Sequence, residues 1–314
     1  MTQSLSDRRP GWHWTDYWRT GREEVMTVNT AAGPVTFETR DIWGDWFAAF
    51  DAGAALLDLA TGSGQVAGYA AATAAAGGKA FAITGIDYAE VAPLAGCTLL
   101  GGVALEKLPF AASSFDSASS QFGIEYADSR QALAEVSRVL KPGGRALFLI
   151  HHADSVITRQ TAAQIAAYDR VMANGAAVRQ ARRAFAAYQK GLPPVSVQAA
   201  EQAFAEAVRR AQDRLEPDPA FDPVRYLVDY LGDLANRVAA YEPVSALTRI
   251  EGFEAGNAAW RHRQLCQTRA ALDGAGLEGF VQRAERCGLA LVNRSEITDS
   301  RAALIAWRLE FHRT

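Results

Sequence analysis

The stretch "LLDLATGSGQVA" (Leu56–Ala67) constrains this chain more than any other. An apolar run ends in an acid, Asp58, passes through a turn of small residues containing Gly62 and Gly64, and resumes at Val66 as a helix-like segment. A strand that feeds a helix through so small a turn lets the backbone approach a ligand closely and points the unpaired N–H groups of the helix start toward it. On its own the pattern also satisfies a loose dinucleotide fingerprint, Gly62-x-Gly64-x-x-Ala67.

The surrounding sequence fits the same architecture. Between Ala54 and His152, five short apolar runs alternate with helix-like segments: Ala54–Ala60, Ala80–Asp87, Cys97–Leu105, Phe115–Gly123 and Arg145–His152. That alternation predicts parallel strands joined by helices. Asp128 is placed to cap a helix carrying Leu133, Val136, Val139 and Leu140, and "KPGG" (Lys141–Gly144) ends it with a turn. A short helix is expected near Tyr88–Leu94. From Ala153 the texture becomes alanine-rich and amphipathic, with helices over Val197–Leu215 and from Asp222, where Pro223 takes the first helical position. The chain then closes with a helix near Leu277–Cys287 and two apolar runs, Leu289–Ile297 and Ala302–Phe311, which read as an antiparallel hairpin on the edge of the sheet.

Composition narrows the function classes. With 314 residues, 49% of them hydrophobic, the chain has material for a substantial core, and a net charge of −3 without a basic block gives no electrostatic reason to expect a nucleic-acid partner. No run approaches the roughly 18 apolar residues of a membrane span, and the polar opening lacks a signal-peptide core, so a cytoplasmic protein is expected. Cys97, Cys266 and Cys287 are odd in number and lack metal-type spacing, which suits reduced thiols and no bound metal.

Three further motifs give the turn its meaning. "ITGID" (Ile83–Asp87) ends the second strand in an acid placed for ribose hydroxyls. "LEKLPFAASSFDSASS" (Leu105–Ser120) follows the third strand, and "VSRVLKPGGRALFLI" (Val136–Ile150) leads into the fifth. In this order and spacing the chain resembles the class I S-adenosylmethionine-dependent methyltransferases over about residues 54–152. Within them it is similar to the ubiquinone/menaquinone-type group of small-molecule enzymes.

The resemblance implies an α/β, Rossmann-like seven-stranded sheet, mostly parallel, with the terminal hairpin supplying strands six and seven and a large helical insertion after strand five. It implies residues 1–50 as an aromatic-rich cap, 51–153 as the S-adenosylmethionine-binding core, 154–273 as an insertion or lid, and 274–314 as the helix and hairpin completing the core. It places Asp58 and the turn Ala60, Thr61, Gly62 and Gly64 beside the methionine part of the cofactor, Asp87 on the ribose, Leu105 and Glu106 beside the adenine, and Gln121 on the methyl-donor side. Family members commonly carry Gly at Ala60, and many carry an aspartate at Ala104, which leaves adenine recognition to the Leu105 backbone and Glu106. S-adenosylhomocysteine is the implied product. A second reading keeps cofactor binding but assigns a regulatory or assembly role without methyl transfer.

Methyl transfer needs positioning above all, and a base only when the acceptor must lose a proton. Ligands of open α/β sheets sit beyond the carboxyl ends of the strands, which nominates Gln121, Glu125 and Tyr126 after the fourth strand and His151 and His152 after the fifth. His151, His152 and Tyr126 are the candidate catalytic groups, with strand-end capping as the alternative role for the histidines. The insertion suits either a lid over a small, partly apolar acceptor or a homodimer interface. Last, "GWHWTDYWRTG" (Gly11–Gly21) crowds bulky aromatics where chains usually fray. Tyr17 and Trp18 can face the sulfonium or acceptor, and Arg22 the cofactor carboxylate; the same rings can equally serve as a staple that docks the N-terminus.

Overall fold

The computed structural model describes residues 11–20, 26–30, 33–172, 175–215 and 222–314. Arg22 and the Glu216–Pro219 segment lie outside the described residues, as do the side chains of Trp12 and Asp222. The chain divides into two compact units: a core of 11–27, Val35–Thr158 and Cys266–Thr314, and a helical unit of Val28–Pro34 with Arg159–Leu265.

The core is a seven-stranded sheet. Its strands are β3 (Ala55–Leu59), β4 (Ala82–Ile86), β5 (Thr98–Leu100), β6 (Phe115–Gln121), β7 (Leu140–His151), β8 (Leu289–Thr298) and β9 (Leu304–Arg313), in the spatial order β5-β4-β3-β6-β7-β9-β8. The first five are parallel, and β9 joins β7 antiparallel with β8 at the edge. A separate two-stranded sheet, β1 (Met26–Thr30) with β2 (Gly33–Phe37), precedes them; sequence pattern gave no sign of it.

Alternation along β7 divides the core into two layers, as the pleat requires. Phe148 and Ile150 pack on one face with α4 (Ser129–Val139) and α10 (Gly274–Arg286), in a cluster that includes Leu133, Val136, Phe280 and Phe311. Leu147 and Leu149 pack on the other with α2 (Arg40–Ala48) and α3 (Gln65–Ala76), where Trp43, Trp46 and Phe47 are buried. The serine-rich β6 can be buried because its hydroxyls are all used. Ser117 accepts from the Trp46 indole at 3.1 Å, Ser119 donates to the Leu57 carbonyl at 3.2 Å, and Ser120 donates to the Leu59 carbonyl at 3.1 Å. Burying these hydroxyls without partners would cost about 1–3 kcal/mol each.

Asp128 caps α4 as expected, accepting from the Gln131 N–H at 3.0 Å. Two expectations need correction. The segment after β4 holds no helix over Tyr88–Leu94: Asp87 captures the Ala89 N–H at 2.7 Å, and Pro93 and Gly96 lie within the few residues before β5, which leaves no room for helical turns. The "KPGG" segment does not interrupt β7 but bulges from it. Phe115 pairs with Leu140, the register then shifts so that Ser117 pairs with Arg145, and Gly143 takes the left-handed conformation at φ +74°.

The helical unit contains α5 (Val156–Val171, from Arg159 onward), α6 (Ala176–Gln189), α7 (Pro194–Gln212), α8 (Asp222–Asn236) and most of α9 (Pro243–Ala270). Phe185, Phe204, Val224, Val228, Leu231 and Leu234 form its core, with Tyr168, Tyr188 and Tyr230 packed against it, while Tyr226 is exposed. Among the described residues no helix is long and apolar enough to cross a membrane.

Candidate active site

The carboxyl ends of β3, β4, β6 and β7 lie along one edge of the sheet and bring most of the expected residues together. Ala60 opens the turn after β3 in the left-handed region, φ 53°, the conformation that accounts for glycine's usual place there. Gly62 and Gly64 follow at φ 56° and 84°, and Gly64 starts α3. Two buried carboxylates hold this turn. Asp58 accepts from the Thr61 hydroxyl at 2.5 Å and the Ala67 N–H at 3.2 Å, and Asp87 accepts from the Gly62 N–H at 2.8 Å. Burial raises the Asp58 carboxyl to about 7 and also raises that of Asp87.

The loop after β5 closes against Asp87, whose carbonyl accepts from the Val103 N–H at 2.9 Å, and this brings Ala104 and Leu105 alongside. Leu105 is buried, but the Glu106 carboxylate turns toward the start of α4 and accepts from the Asp128 N–H at 2.8 Å. The sequence motifs are tied together here: Glu135 accepts from the Leu108 N–H at 2.7 Å, and Arg138 donates to the carbonyls of Phe110 at 2.7 Å and Leu108 at 3.1 Å. Thus the "VSRV" segment fixes the "EKLPF" loop.

Gln121, at the end of β6, sits in a relay that sequence reasoning missed. The Trp43 indole donates to its Oε1 at 2.7 Å, and its Nε2 donates to Gln65 at 3.0 Å, at the first position of α3. Trp43 belongs to none of the motifs, and its hydrogen bond to a residue 78 positions away is not readable from spacing.

The aromatic segment forms α1 (Trp12–Thr20) and lies over this edge. Its Thr15 hydroxyl accepts from the Glu90 N–H at 3.0 Å, just beyond β4. The Trp18 indole stands so close to Gly62 that a Cβ there would come within 2.8 Å of it. Trp14 stacks on Trp18 at 6.2 Å and meets Tyr126 edge-on at 5.6 Å, while Tyr17 packs on Trp18 at 4.7 Å. The helix therefore runs from the glycine turn to the residues following β6.

Beyond β6, Phe122 adopts φ 54° and a single 3₁₀ turn, Ile124–Tyr126, places Glu125 and Tyr126 beside the end of β7. The Glu125 side chain is fully buried; its Oε1 accepts from the His151 N–H at 3.0 Å and lies 2.7 Å from His151 Nδ1. Phe122 packs on the His151 ring at 4.3 Å and Tyr126 at 5.9 Å. Burial, and then the nearby Glu125 charge, raises the Tyr126 hydroxyl well above its ordinary range. His152 faces the opposite side of the strand: it stacks on Trp307 at 4.2 Å, and its Nδ1 accepts from the Asp154 N–H at 2.9 Å. It is His151 that meets the residues following β6.

Residues 57–148, which carry this glycine turn between its two buried acids, match the family model described as a methyltransferase domain. Among curated proteins, the chain is similar to the ubiquinone/menaquinone biosynthesis C-methyltransferases of Geobacter sulfurreducens, 38% identical over 109 residues, and Geotalea daltonii, 41% over 106. These alignments cover 31% and 30% of this chain and only 41% and 44% of those relatives, so it spans about two fifths of their length. Among solved structures it is similar to the 1,6-didemethyltoxoflavin-N1-methyltransferase of Burkholderia thailandensis, at 11% identity and TM-score 0.41, covering 88% of this chain and 76% of that one.

Proposed function

We propose that this protein transfers a methyl group from S-adenosylmethionine to a small, partly apolar organic acceptor. The observation that carries the reading is the turn Ala60–Gly64, held open between Asp58 and Asp87 with its glycine backbone facing the sheet edge. The residues fit the cofactor in kind. Gly62 carries no side chain and so lets the Trp18 indole lie directly on the turn, Asp58 offers a carboxylate for an ammonium, and Asp87 one for ribose hydroxyls. When bound, the sulfonium supplies an activated methyl carbon. The protein's own part is to position: Asp87 orders the turn through Gly62, Gln121 is fixed by Trp43, and α1 covers the edge with Trp18 and Tyr17. Phe122, Tyr126 and Trp14 supply the apolar, aromatic surface on which a small acceptor is expected to rest.

The test is incubation of the purified protein with S-adenosylmethionine and a panel of small aromatic and aliphatic acceptors, with S-adenosylhomocysteine and methylated product followed by mass spectrometry. Acceptor-dependent formation of both is expected. Cofactor binding with no turnover of any acceptor would contradict the reading.

A further inference from the structure

Building on that reading, we propose that Glu125 and His151 form a general-base pair, and that the acceptor is accordingly a phenolic hydroxyl that gives up its proton to His151 Nε2. Glu125 acts as a positioning residue. Its Oε1 accepts a hydrogen bond from the backbone N–H of His151, and with Glu125 as the carboxylate the 2.7 Å contact to Nδ1 of the same residue is a second one accepted. Nδ1 therefore carries the proton and Nε2 presents its lone pair. Nε2 makes no hydrogen bond among the described residues. The other carboxylate oxygen, Oε2, is buried and has no hydrogen-bond partner among the described residues. A buried carboxylate oxygen without a partner is better satisfied when a positive charge stands beside it, and the His151 ring, 2.7 Å from Oε1, is the group placed to carry one once it has taken the acceptor's proton.

Position favours the reacting edge over a purely structural cap. Glu125 lies two residues beyond Gly123, whose Cα abuts Ala60 of the cofactor turn. The ring of Phe122 lies 4.3 Å from that of His151, and Tyr126 and Trp14 extend the aromatic surface. The titratable groups near the pair include Tyr126, whose hydroxyl burial raises well above its ordinary range, then Cys266, whose thiol burial also raises, and Tyr17; the imidazole of His13 lies beside Cys266.

Acidity selects the acceptor class. Imidazole titrates near neutral pH, so it matches a phenol far better than an aliphatic alcohol. In the reaction, the O–H bond breaks as Nε2 takes the proton. The phenolate's electron pair forms the new bond to the methyl carbon, directly from oxygen or through the ring carbon it activates. The S–CH₃ bond breaks with its electrons left on sulfur, giving S-adenosylhomocysteine. After attack from oxygen, the imidazolium, paired with Glu125, loses its proton to water; after attack from carbon, the dienone gives its ring proton to water and the oxygen takes back the proton held on His151, restoring the phenol.

The test uses protein saturated with S-adenosylhomocysteine and 4-nitrophenol as probe, reading the visible phenolate band against pH. The wild type should lower the apparent pKa of the bound probe by about one unit or more, His151→Asn should abolish the lowering, and Glu125→Gln should reduce it. With S-adenosylmethionine and phenols of graded acidity, His151→Asn should slow turnover by about a hundredfold or more for weakly acidic phenols and little for those already ionised at the assay pH. Thermal melts and S-adenosylhomocysteine titration of each variant guard against misfolding. A probe whose pKa is not lowered, a lowering that survives in His151→Asn, or equal rate losses across the phenol series overturns the base pair. Failure of the wild type to bind S-adenosylhomocysteine overturns the methyltransferase reading instead.

Discussion

Ala60 and Gly123 form a matched pair: a Cβ on Gly123 would stand 2.4 Å from the Cβ of Ala60. The turn after β3 and the turn after β6 therefore touch through one methyl group, and only one of the two positions can carry it. Gly123→Ala should destabilise the protein by about 1–3 kcal/mol through overpacking. Adding Ala60→Gly removes the clash and the left-handed alanine together, so the double variant should recover most of that loss. A double-mutant cycle of melting temperatures checks this; additive effects would show that the turns do not meet.

Trp18 against Gly62 gives a second expectation. An aromatic face attracts a nearby cation by about 0.5–2 kcal/mol, so Trp18→Ala should weaken S-adenosylmethionine binding by roughly 2- to 30-fold and weaken the uncharged-sulfur product less. The melting temperature should barely move if α1 is a cover. Calorimetric titration beside a thermal melt distinguishes this from a staple, for which fold and affinity fall together.

Asp58 makes stability depend on pH in a definite direction. Because burial raises its carboxyl to about 7, the folded state keeps a proton that the unfolded chain releases near its ordinary value of about 4. The Asp58 contribution therefore lowers stability as pH rises between those values and levels off above them. Urea melts across this interval should show the decline in the wild type and a flatter profile in Asp58→Asn. A ligand ammonium favours the anion, so S-adenosylhomocysteine should bind more tightly at about pH 8 than at about pH 6, with proton release.

Gln121 depends on an indole hydrogen bond for its orientation. Trp43→Phe keeps most of the buried ring but frees the amide. S-adenosylhomocysteine affinity should fall several-fold, roughly what one lost hydrogen bond of about 1 kcal/mol implies. Stopped-flow or calorimetric binding measures it, and an unchanged affinity would remove Gln121 from the cofactor side.

Much of this was legible because it is local. The acid, small-residue turn and helix of Leu56–Ala67 are contiguous, and Asp128 caps a helix three residues away. Even the long-range partnership of the "EKLPF" and "VSRV" motifs has a local cause, since Glu135 and Arg138 lie on one helix face and grip that loop together. Glu125 and His151 were visible as residues but not as a pair: 26 positions separate them, and a 3₁₀ turn and a strand end must be placed before their atoms meet. The aromatic crowding of "GWHWTDYWRTG" is legible as either a cover or a staple for the N-terminus, while Trp18 touching Gly62 depends on where α1 docks. The missing helix after β4 and the bulge in β7 turn on backbone hydrogen bonds and glycine conformations that periodicity does not encode.

The most direct test of the account is calorimetric titration of the wild type and Asp87→Asn with S-adenosylhomocysteine. The wild type should bind one equivalent, and the variant, which loses a charged acceptor for the ribose and weakens the hold on Gly62, should bind about ten- to a hundredfold more weakly. No binding by the wild type at millimolar ligand, or equal affinity in both proteins, would contradict the assignment of this sheet edge as the cofactor site.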